Sequence, residues 1–90
     1  MHLVQYKVKS FIPKAELAEL MALFAERGEL PGTVAHYVAV DGSSGWVVID
    51  SDDLSAMYAN TLAYQPWLDM SDTVVQTVDD AVPAIMEALA

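Results

Sequence analysis

The segment from Tyr37 to Asp50, YVAVDGSSGWVVID, constrains the fold of this chain more than any other. Two runs rich in β-branched and aromatic residues flank the turn-forming residues DGSSG, which is the pattern of a β-hairpin. The residues Ser43-Ser44-Gly45 suit a three-residue loop with Gly45 in the left-handed conformation. This register would place the even-numbered residues of both strands on one face of the sheet and the odd-numbered residues on the other.

Periodic patterns on either side of the hairpin predict the remaining elements. Apolar residues alternate with polar ones near the start of the chain, as in a strand, and later recur three and four positions apart, as in amphipathic helices. The predicted elements are a strand over 2–9, a helix from Pro13 to Gly28, strands over 33–41 and 45–51, a helix that Asp52 caps and Pro66 ends, a strand over 73–78, and a last helix capped by Asp80.

The order β-α-β-β-α-β followed by a terminal helix is the ferredoxin-like arrangement, in which two βαβ units are joined by a hairpin. Because the crossovers of such units are right-handed, both inner helices fall on the same side of the sheet. We therefore predict a single α+β domain over residues 1–90, with a four-stranded antiparallel sheet and the helices on one face. The topology leaves the other face of the sheet open.

The hairpin register assigns side chains to the two faces. Two alanines would make room for a close helix, so the helix-facing residues are predicted to be Ala35, Tyr37, Ala39, Val47 and Ile49, with Val4, Tyr6 and Val8. The open face would then carry His36, Val38, Val40, Trp46, Val48 and Asp50, with Leu3, Gln5 and Lys7. An open face of roughly 300 Å² is near the largest apolar patch that a monomer exposes. We expect a homodimer through the open sheet face, the alternative being a monomer that leaves it uncovered.

The segment AHYVAVDGSSGWVVIDSDDLSAMY, together with the later VVQTVDDAV, resembles a family known only as a domain of unknown function. Its members resemble the dimeric α+β barrel proteins, whose relatives include antibiotic-biosynthesis monooxygenases, muconolactone isomerases and stress-responsive barrel proteins. The resemblance covers most of the 90 residues. It implies a homodimer in which two sheets form a barrel, with a small-molecule pocket in each subunit. The family has no established catalytic residues, so the resemblance assigns none to this chain.

The distribution of charge argues against several classes of partner. The formal net charge is −9, and the only fixed cations, Lys7, Lys9, Lys14 and Arg27, all lie in the first 27 residues. Because nucleic acids and anionic membranes are bound largely through Lys and Arg, we expect neither as a partner. The chain has no cysteine, which excludes disulfides and thiolate chemistry. Without a leader-like start or a long apolar run, a cytoplasmic location is expected.

Three polar side chains that could bind or act on a ligand are predicted to lie at one end of the open face. If the first and third strands are parallel neighbours, Lys7, Asp50 and His36 fall together there. An aspartate can orient a histidine for acid–base work, and a lysine can hold an anion. We therefore predict His36 and Asp50 as catalytic residues and Lys7 as a ligand-binding residue. The alternative is an exposed ion pair at the rim of the sheet, which contributes little to stability.

Two tryptophans complete the predicted ligand-binding set. Trp46 lies on the open face, and Trp67 follows the second helix, where it would form an aromatic wall or seal the edge of the core. No metal is expected, because Asp50, Asp52 and Asp53 lack the spacing of a calcium loop and suit the start of a helix instead. The glycine-rich turn is not followed directly by a helix, so it does not predict a phosphate site.

These features predict a homodimer that binds a small, partly apolar molecule, with cofactor-free monooxygenase-like or isomerase-like chemistry as its enzymatic form. Haem-degrading relatives of the barrel place a histidine on a helix, whereas His2 and His36 fall on predicted strands, so no haem or other cofactor is expected. The alternative class is a non-catalytic dimeric module whose acidic surface contacts a protein partner. The two differ in one feature: the first requires a wet, enclosed cavity around His36 and Trp46.

Overall fold

The computed structural model describes residues 1–10 and 12–90 of the chain. Along these residues the elements are β1 (His2–Val8), α1 (Lys14–Arg27), β2 (Thr33–Val38), β3 (Ser44–Ile49), α2 (Leu54–Tyr64), β4 (Leu68–Val74) and α3 (Val78–Leu89). The strands form a four-stranded sheet in the order β2-β3-β1-β4, and every neighbouring pair is antiparallel. The predicted α+β class with a four-stranded antiparallel sheet is confirmed.

The prediction that the first and third strands run parallel is wrong. β1 and β2 run in the same direction because α1 carries the chain back between them, and β3 lies between the two as the hairpin partner of β2. A hairpin reverses the chain, so β3 must run against both of its neighbours. In the observed register Lys7 pairs with Ser44, and His2 pairs with Ile49.

The loop of the hairpin is one residue longer than predicted. The backbone N–H of Ala39 donates to the carbonyl oxygen of Ser44 at 2.9 Å, so residues 40–43 form the loop. Gly42, at a φ of 74°, occupies the left-handed conformation that was predicted for Gly45. Gly45 lies within β3 instead. A change of one residue in a hairpin loop changes which side chains share a face.

The altered register exchanges the two faces of β2. His36 pairs with Val47, which faces the helices, and Tyr37 pairs with Trp46, which lies on the open face. The prediction that placed His36 and Val38 on the open face is therefore wrong. The faces of β1 and β3 are as predicted, so the error is confined to one strand.

The core forms between α1, α2 and one face of the sheet. Two clusters of buried side chains occupy it, Val4 with Ile49 and Met57, and Leu20 with Tyr64 and Leu68. Each cluster joins inward-facing strand residues to a helical stripe, which is how alternating and 3.6-residue periodicities combine into one core. On the opposite face of the sheet Tyr37 remains 64% exposed and Trp46 38% exposed.

The last strand and helix begin earlier than predicted. β4 spans Leu68–Val74 rather than 73–78, and its polar outward-facing residues conceal the alternation in the sequence. The chain leaves β4 sooner because the Thr77 side chain accepts a hydrogen bond from the backbone N–H of Asp80 at 3.2 Å and caps α3. Asp53, next to the predicted Asp52, caps α2 in the same way.

The helix α3 projects from the rest of the molecule. The radius of gyration is 15.6 Å and the longest dimension is 56 Å, whereas a compact domain of this length has a radius of gyration of about 12 Å. No residue of α3 is buried. Among the described residues, no helix is both long enough and apolar enough to cross a membrane.

Candidate functional site

Three polar side chains form a hydrogen-bonded chain on the helix-facing side of the sheet. The Tyr6 hydroxyl lies 2.7 Å from Nε2 of His36, and Nδ1 of His36 lies 2.7 Å from Oε1 of Glu29. Tyr6 belongs to β1, His36 to β2, and Glu29 to the loop that joins α1 to β2. We refer to this group as the Tyr6–His36–Glu29 cluster. A histidine held between a hydroxyl group and a carboxylate is an arrangement that can move protons.

The end of α1 positions two of the groups that surround the imidazole. Gly28, at a φ of 67°, ends the helix, and its backbone N–H donates to the carbonyl oxygen of Phe24 at 2.8 Å. The next residue, Glu29, thereby turns toward the sheet. The rings of Phe24 and Tyr6 both meet His36 edge to face, with centroids 5.9 and 5.8 Å away. Two rings and two hydrogen bonds therefore orient the imidazole of His36.

Gly45 makes room for Tyr6. The Tyr6 ring crosses over β3 at Gly45 to reach His36 on the next strand. A methyl group at Gly45 would lie 2.7 Å from Cε1 of Tyr6 and would overlap the hydroxyl end of the ring. The glycine that the sequence suggested as a turn residue is therefore required by close packing within the sheet.

The chemistry of the three groups gives the hydrogen-bonded chain a direction. The Glu29 carboxylate can only accept, so Nδ1 of His36 carries the hydrogen, and in the neutral imidazole Nε2 is then an acceptor. Tyr6 consequently donates to His36, and the phenol oxygen keeps lone pairs for a ligand. Burial, and secondarily the charge of Glu29, raise the pKa of Tyr6 above its ordinary value. The phenol is thus held protonated at neutral pH.

The cluster lines a cavity of about 330 Å³ between α1 and the sheet. This volume is at the lower end of the range of small-molecule pockets. The walls are mostly apolar and include Val8, Leu20, Phe24, Val38, Val47 and Met70. Among the described lining residues, Glu29 alone carries a fixed charge. The cavity therefore suits a small apolar molecule that has one polar group.

A second cavity, of about 280 Å³, lies between α2 and the β1–β4 side of the sheet. Its polar wall includes Tyr58, Thr61 and Asp72. The Asp72 carboxylate lies 2.9 Å from Nδ1 of His2, which is buried. His2 is thus paired within the fold. Because Asp72 and Thr61 are engaged by neighbouring groups, this cavity offers fewer free polar atoms than the first.

The structure separates the residues of the sequence-predicted site. Lys7 and Asp50 lie at opposite ends of the sheet, because β1 and β3 are antiparallel. His36 lies on the opposite face of the sheet from Lys7, and its hydrogen-bond partners are Tyr6 and Glu29. The expected convergence of His36, Asp50 and Lys7 at one end of the open face is therefore wrong.

The two tryptophans lie outside the cavity. Trp46 is on the open face opposite Tyr37. Trp67 packs against the buried cluster of Leu20, Tyr64 and Leu68, and its carbonyl oxygen accepts a hydrogen bond from the backbone N–H of Lys9 at 2.9 Å. In the described part of the chain, no three His, Asp or Glu side chains come close enough together to hold a metal ion.

Sequence reasoning missed Tyr6 and Glu29. Tyr6 alternates with Val4 and Val8 on the helix-facing side of β1, so the pattern predicts a core residue there. Glu29 follows the predicted end of a helix and stands out in no pattern. The sequence did contain one signal: Tyr6, whose ring ends in a hydroxyl, lies among the apolar helix-facing residues of one strand, and His36 lies on another strand. Only the register between the strands shows that the two side chains meet.

The fold and its cavity define a small α+β protein with a four-stranded antiparallel sheet and a site between helix and sheet. Residues 2–89 match the family described as a domain of unknown function (DUF3303), and the chain belongs to this family. No curated protein and no solved structure shows a significant match to the chain. The predicted membership of a family of unknown function is confirmed, whereas its placement among the dimeric α+β barrel proteins stays a prediction.

We expect Glu29→Gln to lower the pKa of Tyr6 part of the way toward its ordinary value. The substitution removes the charge that opposes the phenolate, while the larger effect, burial, remains. A pH titration of the assigned Tyr6 ring signals by nuclear magnetic resonance measures this shift. Glu26→Gln, an exposed position on α1, is the matched control and should leave the pKa of Tyr6 unchanged.

The same change has a consequence for stability at alkaline pH. A raised pKa favours the protonated phenol in the folded state, so the free energy of unfolding falls as pH rises past about 10, the ordinary tyrosine pKa. The fall should be smaller in Glu29→Gln than in the unsubstituted protein. An unchanged Tyr6 titration in Glu29→Gln would contradict the proximity of the two groups.

Gly45→Ala should displace Tyr6 and destabilise the fold by about 1–3 kcal/mol, the usual cost of overpacking. The loss of contacts between the Tyr6 and His36 rings is measurable by nuclear Overhauser effects. Tyr6→Ala removes the overlap, so Gly45→Ala should cost much less stability in that background. Chemical denaturation of the four proteins completes a double-mutant cycle, and additive free energies would contradict the overlap of Tyr6 with position 45.

Proposed function

We propose that this protein binds a small, neutral, mostly apolar molecule in the cavity and takes a proton from it through the Tyr6–His36–Glu29 cluster. One observation carries the proposal: a continuous hydrogen-bonded chain runs from a carboxylate to a phenol hydroxyl inside an apolar cavity. His36, predicted from the sequence as catalytic, keeps that role here with different partners. Asp50, Lys7, Trp46 and Trp67 have none in this site.

The proton moves in two linked transfers. The ligand's X–H group donates its proton to the Tyr6 oxygen, and the hydroxyl proton of Tyr6 passes to Nε2 of His36 across 2.7 Å. The ligand keeps the electron pair of the broken bond and becomes an anion, while His36 becomes an imidazolium next to the Glu29 carboxylate. Glu29 thereby stabilises the charge that develops on His36.

The fate of the ligand anion sets the class of reaction. If the proton returns to a different atom of a carbon acid, the reaction is an isomerisation. If the carbanion of a CH₂ group reacts instead with dioxygen as the co-reactant, it takes back the proton from His36 as a hydroperoxide, which loses water and leaves a carbonyl, and the reaction is a cofactor-free monooxygenation. Both begin with the proton transfer that the cluster supports, and neither requires a bound cofactor.

The charge of the cavity favours a neutral ligand. Glu29 is the fixed charge among the described lining residues, and it repels an anion across a medium of low dielectric constant. Lys7, the residue that the sequence suggested for holding an anion, lies on the other face of the sheet. Carboxylates and phosphates are therefore poor ligands, and phenols, enols and ketones with acidic C–H bonds are better ones.

We further propose that the chain forms a ferredoxin-like dimeric α+β barrel through its open sheet face. The strand order β2-β3-β1-β4 and the location of α1 and α2 on one face support this assembly. On the open face Tyr37 pairs with Trp46, and Leu3 pairs with Val48 beside them. Contiguous apolar surface of this kind marks interaction sites.

A non-catalytic dimeric module is the second candidate function. It is favoured by the exposed apolar side chains of α3, which are surface that a protein partner could cover. In such a module the cavity has no ligand, and the Tyr6–His36–Glu29 cluster only supports the fold. Ligand binding therefore discriminates between the two functions.

We expect 1-naphthol to bind in the cavity at least tenfold more tightly than 1-naphthoate, which has the same rings and a negative charge. Isothermal titration calorimetry measures the two affinities, and shifts of the Tyr6 and His36 ring signals locate the ligand. Tyr6→Phe should weaken 1-naphthol binding by about three- to tenfold, because it removes one hydrogen bond without emptying the cavity.

Glu29→Gln supplies the matched control for charge. It keeps the size of the side chain and should bring the affinity for 1-naphthoate closer to that for 1-naphthol. Equal affinities in the unsubstituted protein would contradict the charge argument. Absence of binding by either molecule would favour the non-catalytic module.

Trp46→Glu should convert the dimer to a monomer, because it places a charge in the middle of the buried open face. Sedimentation equilibrium at micromolar concentration measures the mass. Val40→Glu adds the same charge in the fully exposed hairpin loop and should leave the dimer intact. A monomeric unsubstituted protein at this concentration would contradict the proposed assembly.

A further inference from the structure

The apolar side chains of α3 have no partner among the described residues. Val82, Ile85, Met86 and Leu89 recur three and four positions apart on one side of the helix, and they are between 47% and 76% exposed. We call these four residues the α3 stripe. A helix of 12 residues is marginal in water by itself and is stabilised mainly by packing. A stable α3 therefore requires a surface that covers the stripe.

The cavity of the Tyr6–His36–Glu29 cluster is open between α1 and β2. Leu17 and Met21 of α1 and Val38 of β2 line the cavity and are nevertheless 43%, 58% and 61% exposed. These three residues form the mouth of the cavity. The Glu29 side chain, which lines the same cavity, is 43% exposed. A cover over the mouth would exclude water and strengthen the electrostatic interactions within the cluster.

The stripe and the mouth lie at opposite corners of the same chain. β4, which leads into α3, and β2 are the two edge strands, and β4 ends at Val74, which pairs with His2. The mouth lies near Val38, at the other end of the strands. The corners are separated by about 14 Å across the sheet and about 17 Å along it. No residue of α3 is buried, and Leu17, Met21 and Val38 are exposed, so α3 does not cover the mouth of its own chain.

We propose that α3 of a second copy of this chain covers the mouth, so that each copy closes the cavity of the other. The inference rests on the proposed function of the cavity and on the homodimer. The side chains of the mouth are apolar and can pack against the α3 stripe. The other sides of α3 carry Asp79, Asp80 and Glu87 and no cation. Lys14 lies one helical turn before Leu17, but Glu16 and Glu19 are exposed beside it on α1, so the charge around the mouth is mixed and the contact rests on its apolar side chains.

The area involved is sufficient for a stable contact. The exposed fractions correspond to roughly 450 Å² for the α3 stripe and roughly 300 Å² for the three side chains of the mouth. Two reciprocal contacts therefore bury up to roughly 1,500 Å², within the range of specific protein interfaces of about 1,200–2,000 Å². A contact of this size would hold α3 in place and would complete the wall of each cavity.

Chemical cross-linking tests the exchange, and the absence of native cysteine makes it specific. Met21→Cys and Ile85→Cys proteins are mixed, allowed to exchange subunits, and treated with a short bismaleimide. We expect a cross-linked dimer that contains one copy of each variant, identified by mass spectrometry. Both substitutions are at exposed positions and should fold. Leu17→Cys with Met86→Cys is a second pair for the same contact.

Glu87→Cys in place of Ile85→Cys is the matched control, because Glu87 lies on the opposite side of α3 and should cross-link far less. A Met21→Cys, Ile85→Cys double variant that cross-links within one chain would overturn the proposal, since its own α3 would then cover the mouth. A monomeric protein would overturn both this proposal and the homodimer. A dimer in which neither pair cross-links would overturn the exchange alone, and 1-naphthol binding still tests the cavity separately.

Discussion

The register of hydrogen bonds among β1, β3 and β2 is the constraint on which the rest of the structure depends. It places Gly45 beneath the Tyr6 ring and turns His36 toward the helices, so that the two side chains meet across an intervening strand. A slip of one residue in β2 would turn His36 to the open face and leave Tyr6 without its partner. The loop residue Asp41 supports this register, because its carboxylate accepts hydrogen bonds from the backbone and hydroxyl of Ser43.

The electrostatics of the cavity follow from having one carboxylate among apolar walls. Glu29 is half-exposed, so it retains water on one side while His36 binds it on the other. This arrangement keeps a charge near the cavity without the large cost of burying it alone. Burial, and secondarily the charge of Glu29, raise the pKa of Tyr6 and hold the phenol in the protonated form that can pass a proton to His36. Shape and charge thus both favour a neutral, apolar ligand.

The chain has more apolar surface than its own core can cover. A 90-residue domain has a high ratio of surface to volume, and here α1 and α2 cover one face of the sheet only. The open face around Tyr37 and Trp46 and the stripe of α3 are left without partners in the described chain. Association of two copies would cover both surfaces, and the same contacts would close the cavity. Ligand binding in the cavity would therefore depend on association of the two copies.

Local patterns in the sequence determined the elements, because helical and strand periodicities and helix-ending residues such as Gly28 and Pro66 act within a few residues. They predicted the α+β class and the inward rows of β1 and β3. Local patterns could not predict the site, since Tyr6 and His36 are 30 residues apart and meet only through two strand pairings. Which face His36 occupies was decided by a four-residue loop and by the space at Gly45, which are features of the tertiary structure. The sequence by itself thus determined the elements and their apolar faces, and the tertiary structure decided which polar groups meet, because register depends on contacts between distant residues.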